Sequence, residues 1–109
     1  MAKACGNTEY AQKKMLAMLS EYSKKELCHL LYLGEAAFIP ENTSINLPCP
    51  TVLISGDSDR FGKIASYNRR WAEKTQYPLH IVKGAAHNAN EDRPEDVNRI
   101  IRDFLMTIN

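Results

Sequence analysis

The chain has 109 residues, which suits one small domain, and its 44% hydrophobic and 25% charged residues are typical of a globular protein. A formal net charge of +1 gives no electrostatic reason to expect a nucleic acid or an anionic membrane as a partner. No apolar run approaches the roughly 18 residues of a membrane span. The chain starts without an apolar signal region, and its three widely spaced cysteines fit neither a zinc site nor a disulfide framework. We therefore expect reduced thiols and a cytoplasmic protein.

The first part of the chain is predicted to be helical. Residues 1–7 are small and polar, and we expect them to fray. Apolar residues at helical spacing follow from Thr8 to Tyr22. Ser23 with Glu26 then forms a capping box, which predicts the start of a second helix.

Two helices joined by a short turn are compatible with a DNA-binding helix-turn-helix. The second helix begins with two lysines but has no set of Arg, Asn and Gln side chains to read bases, so a lid-like or packing segment is favoured. Residues 35–50 form a connector rich in Pro and Asn. We therefore divide the chain into a helical lid-like segment, residues 1–47, and a second region, residues 48–109.

The second region alternates strands and helices. Residues 51–55 form a short apolar run, typical of a strand buried on both faces. A helix is predicted from Lys63, with an inward stripe that contains Ile64, Tyr67 and Trp71.

A second strand is predicted at residues 79–82, and residues 84–90 are predicted to be its exit loop. Pro94 suits the first position of a final helix, whose apolar residues recur every three or four positions. Strand, helix, strand and helix together predict an α/β sheet with two parallel strands and two flanking helices.

An aspartate and a histidine follow the two predicted strands. Asp59 comes after the first strand and His87 after the second. Neighbouring parallel strands lie about 4.8 Å apart, so these side chains can meet at the carboxyl edge of the sheet. An aspartate that accepts a hydrogen bond from one imidazole nitrogen fixes the tautomer and leaves the other nitrogen free to act as a general base. Read without any wider context, Asp57 or Asp59 is better explained as a cap of the next helix or as part of the turn.

From Pro50 to Asn109 the chain resembles the C-terminal part of the α/β-hydrolase superfamily. The sequence PTVLISGDSD is similar to the late strand of that family with its Gly-x-x-Asp turn, and KGAAHNANEDRPEDVNRIIRDFL is similar to its histidine loop and final helix. The resemblance implies that Asp59 is the acid and His87 the base of a catalytic triad. It further implies hydrolysis of an ester, thioester or amide, with a small acyl compound as substrate and no metal or other cofactor. Ala86 departs from the pattern, because many members have Gly before the histidine.

The nucleophile of that family is missing from these residues. It sits in a Gly-x-Ser-x-Gly elbow, and none of the six serines has that setting. Ser58 lies near the predicted site but in the same turn as Asp59. We therefore expect the C-terminal fragment of a hydrolase, from a truncated or split reading frame, that is inactive alone.

Two other classes of function stay open. The first is a non-catalytic α/β interaction module, because a two-stranded sheet has unpaired edges through which it can self-associate. The second is a nucleotide-binding domain, which is disfavoured because the turn at residues 56–59 has acids where a phosphate loop needs glycines and a lysine.

Overall fold

The computed structural model describes residues 2–37 and 44–108. Their elements, in chain order, are α1 (Ala2–Cys5), α2 (Glu9–Ser20), α3 (Lys24–Ala36), β1 (Leu53–Gly56), α4 (Ile64–Thr75), β2 (Leu79–Val82), α5 (Ala89–Asp92) and α6 (Pro94–Thr107). This is a mixed arrangement of helices with a two-stranded parallel sheet, as expected for a piece of an α/β protein.

Strands β1 and β2 pair in parallel, with Leu53 opposite Leu79 and Gly56 opposite Val82. The second strand occupies the predicted residues, whereas the first begins two residues later than predicted and ends at Gly56. The later start of β1 follows from its pairing with β2. Because β2 begins only after Pro78, residues 51 and 52 have no opposite strand residues in this sheet.

A small hydrophobic cluster lies on one face of the sheet. Val82, Ala85, Ala89 and Val97 form the buried cluster, and Ile54 and Ile100 pack against it. Successive strand residues point to opposite faces, so Leu53 and Ser55 turn away from this cluster. The predicted inward stripe of α4 is wrong for Ile64 and Tyr67, whose side chains are exposed, whereas Trp71 is partly buried.

The N-terminal helices begin where their capping residues predict. Thr8 caps α2 by accepting from the amide of Ala11, and the Ser23 capping box of α3 is complete. The prediction that residues 1–7 fray is wrong for residues 2–7. Residues 2–5 form α1, and Cys5 is buried.

Apolar side chains remain exposed on several helices. Those on α2, α3 and α6 include Leu16, Met18, Leu30, Leu31, Tyr32, Ile101 and Leu105. No residue of α3 is buried. Within residues 2–37 and 44–108, the helices are too short or too polar to cross a membrane.

Candidate functional site

The loops that leave β1 and β2 lie against each other at the carboxyl edge of the sheet. The Asp57 amide donates to the carbonyl of Val82 at 3.0 Å, and the Ser58 amide donates to that of Ala85 at 2.9 Å. Gly56 makes this approach possible, because a Cβ at this position would collide with the carbonyl groups of Ala85 and Ala86. The geometry therefore requires glycine at the end of β1.

The Asp57 carboxylate adds a second connection between the two loops. Its Oδ1 accepts from the amide of Gly84 and from the hydroxyl of Ser58, both at 2.9 Å. Gly84 has φ of +73°, a left-handed conformation that glycine adopts without steric cost. Asp57 thus shapes the site without contacting the histidine.

Asp59 and His87 lie side by side at this edge. The His87 Nδ1 is 3.2 Å from Asp59 Oδ2, and the other carboxylate oxygen accepts from the Phe61 amide at 2.8 Å. The Asp59 side chain is only 4% exposed, whereas that of His87 is 33% exposed. The backbone amide therefore orients the carboxylate, and the imidazole stays accessible to a reactant.

The Phe61 ring stacks on the His87 ring. Their centroids are 4.6 Å apart and their planes are inclined by 23°. Phe61 thus contacts both members of the pair, through its amide and through its ring. The sequence pattern does not single out Phe61, although its signal is an aromatic residue in the turn, two residues after the predicted acid.

Asp92 lies behind the histidine loop and is 5% exposed. Its carboxylate accepts from the amides of Asn7, Thr8 and Ala86 and from the hydroxyl of Thr8, at 2.7–2.9 Å. Burial by itself raises the pKa of Asp92, but these hydrogen bonds outweigh it and hold the pKa below its ordinary value. Asp92 is thus a charged residue of the site region that sequence reasoning missed.

Short helix α5 accounts for the position of Asp92. Residues 84–90 are predicted to be loop, but α5 begins within them at Ala89. The amides of Glu91 and Asp92 donate to the carbonyl of Asn88, which closes the turn. The sequence signal for such a helix start is the pair of acidic residues in its first turn, whereas the Asn88 side chain makes no capping hydrogen bond.

A nucleophile beside His87 is absent from the described residues. The Ser58 hydroxyl donates to Asp57, and the Ser55 hydroxyl is buried without a hydrogen-bond partner. The three cysteines are unpaired, with Cys5 buried and the other two exposed. Across residues 2–37 and 44–108, His87 therefore has an acid partner but no hydroxyl or thiol partner.

Comparison with known proteins gives one partial similarity. Over 57 residues the chain is 37% identical to epoxide hydrolase 3 of Xenopus tropicalis, a stretch that covers 51% of this chain and 16% of that protein. The chain thus corresponds to a minor part of this relative. No protein-family model matches the chain. No solved structure matches it either. The similarity indicates a resemblance to hydrolases.

Proposed function

We propose that Asp59 and His87 are the acid and base of an α/β-hydrolase site whose nucleophile is supplied by a segment outside these 109 residues. The contact between His87 Nδ1 and Asp59 Oδ2 carries the proposal, because it orients the imidazole and leaves Nε2 without a hydrogen-bond partner among the described residues. The similarity to an epoxide hydrolase supports it.

In this proposal the acid and base serve a serine nucleophile acting on an ester, thioester or amide. The serine oxygen bonds to the carbonyl carbon while its proton passes to Nε2 of His87. Collapse of the adduct breaks the bond to the leaving group, which takes that proton. Water then attacks the acyl-enzyme in the same way and releases the acid and the serine. Asp59 stabilises the imidazolium formed in each half-reaction.

The name of the relative adds epoxides as a class of substrate to test. Opening an epoxide needs a nucleophile at carbon and a proton for the ring oxygen, and the hydrolytic water needs a base. His87 can serve as that base with the same geometry. Residues 1–47 would form a lid-like segment beside this site, a role that suits α3, which buries none of its residues.

The isolated chain provides the first test. We expect the wild type and its His87→Ala variant to hydrolyse an activated ester and an epoxide at equal, near-background rates, because removing one member of a triad costs about 10⁴- to 10⁶-fold in turnover. Turnover that is lost in His87→Ala would place the nucleophile within these 109 residues and contradict this form of the proposal.

A chimera provides the positive test. The whole 109-residue chain would replace the segment of the epoxide hydrolase that aligns with its 57 matching residues, so that the rest of that protein supplies the nucleophile. We expect epoxide turnover that is abolished by His87→Ala and strongly reduced by Asp59→Asn. His80→Ala, at an exposed histidine of β2, is the matched control and should leave turnover unchanged. A folded chimera that is no faster than its His87→Ala variant would contradict the proposal.

The open sheet favours a second candidate, an interaction module that pairs through its strand edges. Each strand of the described sheet pairs on one side only. Beside β2 lies a groove of about 510 Å³ whose lining includes Ile81, Ile100 and Phe104. A discrete dimer in light scattering, lost when Ile81→Lys places a charge beside the edge, would favour this candidate. A monomer at every concentration would exclude self-pairing.

A further inference from the structure

The backbone of the histidine loop is held on both sides of His87. The Ala86 amide donates to Asp92 Oδ2 at 2.8 Å, and the Asn88 amide donates to the Cys5 carbonyl at 2.7 Å. The residues immediately before and after the histidine are therefore fixed by hydrogen bonds to other elements. The histidine itself contributes only its ring contacts with Asp59 and Phe61.

The acceptors of both hydrogen bonds belong to the N-terminal segment or contact it. The Asp92 carboxylate that accepts from Ala86 also binds the amides of Asn7 and Thr8, which are 85 and 84 residues away in sequence. Cys5, the acceptor for Asn88, is buried at the end of α1. Asp92 is therefore the link between the N-terminal segment and the residue that precedes the histidine.

We propose that Asp92 is a positioning residue for His87. Its carboxylate fixes the backbone at Ala86, so that the imidazole leaves the loop at the angle that brings Nδ1 to Asp59. This inference rests on the proposed function, in which the Asp59–His87 contact orients the general base. Asp92 does not contact the substrate in this proposal, because its side chain is buried behind the histidine loop.

The pattern of hydrogen bonds explains why a carboxylate is needed. Oδ1 accepts from Asn7, from Thr8 and from the Thr8 hydroxyl, and Oδ2 accepts from Asn7 and from Ala86. Donors thus face both oxygens. An asparagine has one acceptor oxygen and would point its NH₂ group at a backbone N–H on the other side. Asp92→Asn therefore breaks one side of the link while conserving the side-chain size.

The test is a double-mutant cycle read on the His87 ring. The ¹⁵N resonances of the neutral imidazole report the fraction of the ring that carries its proton on Nδ1. They would be recorded for the wild-type chain, for Asp59→Asn, for Asp92→Asn and for the double variant. Because the cycle compares the effect of Asp59→Asn in two backgrounds, it separates positioning from the simple loss of the charge of Asp92.

We expect Asp59→Asn to shift the resonances away from the Nδ1–H tautomer in the wild-type background. Asp92→Asn should shift them in the same direction, and Asp59→Asn should then add little. Equal effects of Asp59→Asn in both backgrounds, or unchanged resonances in Asp92→Asn, would overturn the positioning role alone. No effect of Asp59→Asn in the wild type would instead overturn the proposed function.

Two further variants complete the design. Leu53→Val removes a methylene group at the opposite end of β1 and controls for lost stability, so it should leave the tautomer unchanged. A shift in Leu53→Val equal to that in Asp92→Asn would overturn the proposal. If Asp92→Asn does not fold, Thr8→Ala removes the hydroxyl that donates to the carboxylate and also caps α2, and it keeps the backbone amides that bind Asp92. It should give a smaller shift in the same direction, and the absence of any shift would overturn the proposal.

Discussion

The Asp57 carboxylate accepts a hydrogen bond from the Gly84 amide, 2.9 Å away, and this bond ties the loop that carries Asp59 to the loop that carries His87. The loops that bring Asp59 and His87 together are therefore connected by Asp57, an acidic residue that does not itself contact the histidine. In the GDSD turn, one aspartate connects the loops and the other contacts the imidazole.

Removing this connection should loosen the site. We expect Asp57→Ala to lower the free energy of unfolding by about 1 kcal/mol, because the Gly84 amide loses a charged acceptor at a partly solvated position. Urea unfolding measures this change, and the amide resonance of Gly84 should lose its protection from exchange. Ser58→Ala removes only the hydroxyl contact to Asp57, so it should cost less. An equal cost in the two variants would show that the Gly84 bond contributes nothing.

The glycine at the end of β1 should tolerate no side chain. Gly56→Ala places a methyl group against the carbonyls of Ala85 and Ala86, so the histidine loop must move or the chain unfolds. We expect a loss of about 2–4 kcal/mol, as for other overpacked or strained sites. Gly34→Ala is the matched control. It lies in α3 with open space around its Cβ position, and there the change should increase helicity in circular dichroism. A Gly56→Ala variant of wild-type stability would contradict the observed close approach.

Asp92 should make stability depend on acid pH. Because hydrogen bonds in the folded state hold the pKa of Asp92 below its ordinary value, its carboxylate stabilises the fold fully above about pH 4. That contribution is lost as the pH falls through the lowered pKa of the folded state. Urea midpoints of the wild type and Asp92→Asn should therefore differ most near neutral pH and converge in acid. A constant difference between the two proteins across this pH range would contradict the assignment.

The stacking of Phe61 on His87 should be visible by NMR. A ring stacked 4.6 Å away shields the imidazole protons, so Phe61→Ala should move the His87 Hε1 and Hδ2 resonances downfield. Phe61→Tyr keeps the stacked ring and should preserve their positions. Phe104→Ala removes an aromatic ring from α6, beside β2, and is the control. Unchanged imidazole shifts in Phe61→Ala would show that the rings do not stack in solution.

The sequence predicts those parts of the fold that depend on local patterns. Three such predictions are confirmed: the Ser23 capping box, β2 and the start of α6 at Pro94. Each of these features depends only on a few residues that are adjacent in sequence. The position of Asp59 near His87 follows from a general property of parallel strands, namely that their carboxyl ends share one edge. Their roles in catalysis stay a prediction.

The parts that the sequence does not predict depend on distant contacts. From local sequence alone, residues 2–7 are expected to fray, because their small and polar side chains cannot form a hydrophobic core. They are ordered by Asp92 and Asn88, which no local pattern connects to them. The start of β1 likewise depends on where its partner strand begins. Apolar periodicity also overstates burial where no other element covers a helix face, as at Tyr67.

The bonds from Asn7 and Thr8 to Asp92 have a consequence for the order of folding. They close a loop of about 85 residues, and loop closure of this length carries an entropic cost that local helices avoid. Helices α2 and α3 can form early from neighbouring residues. The Asn88 amide beside His87, in contrast, finds its acceptor, the Cys5 carbonyl, only when the N-terminal segment meets the histidine loop. We therefore expect the contacts between the N-terminal segment and the histidine loop to be among the last to form along this chain.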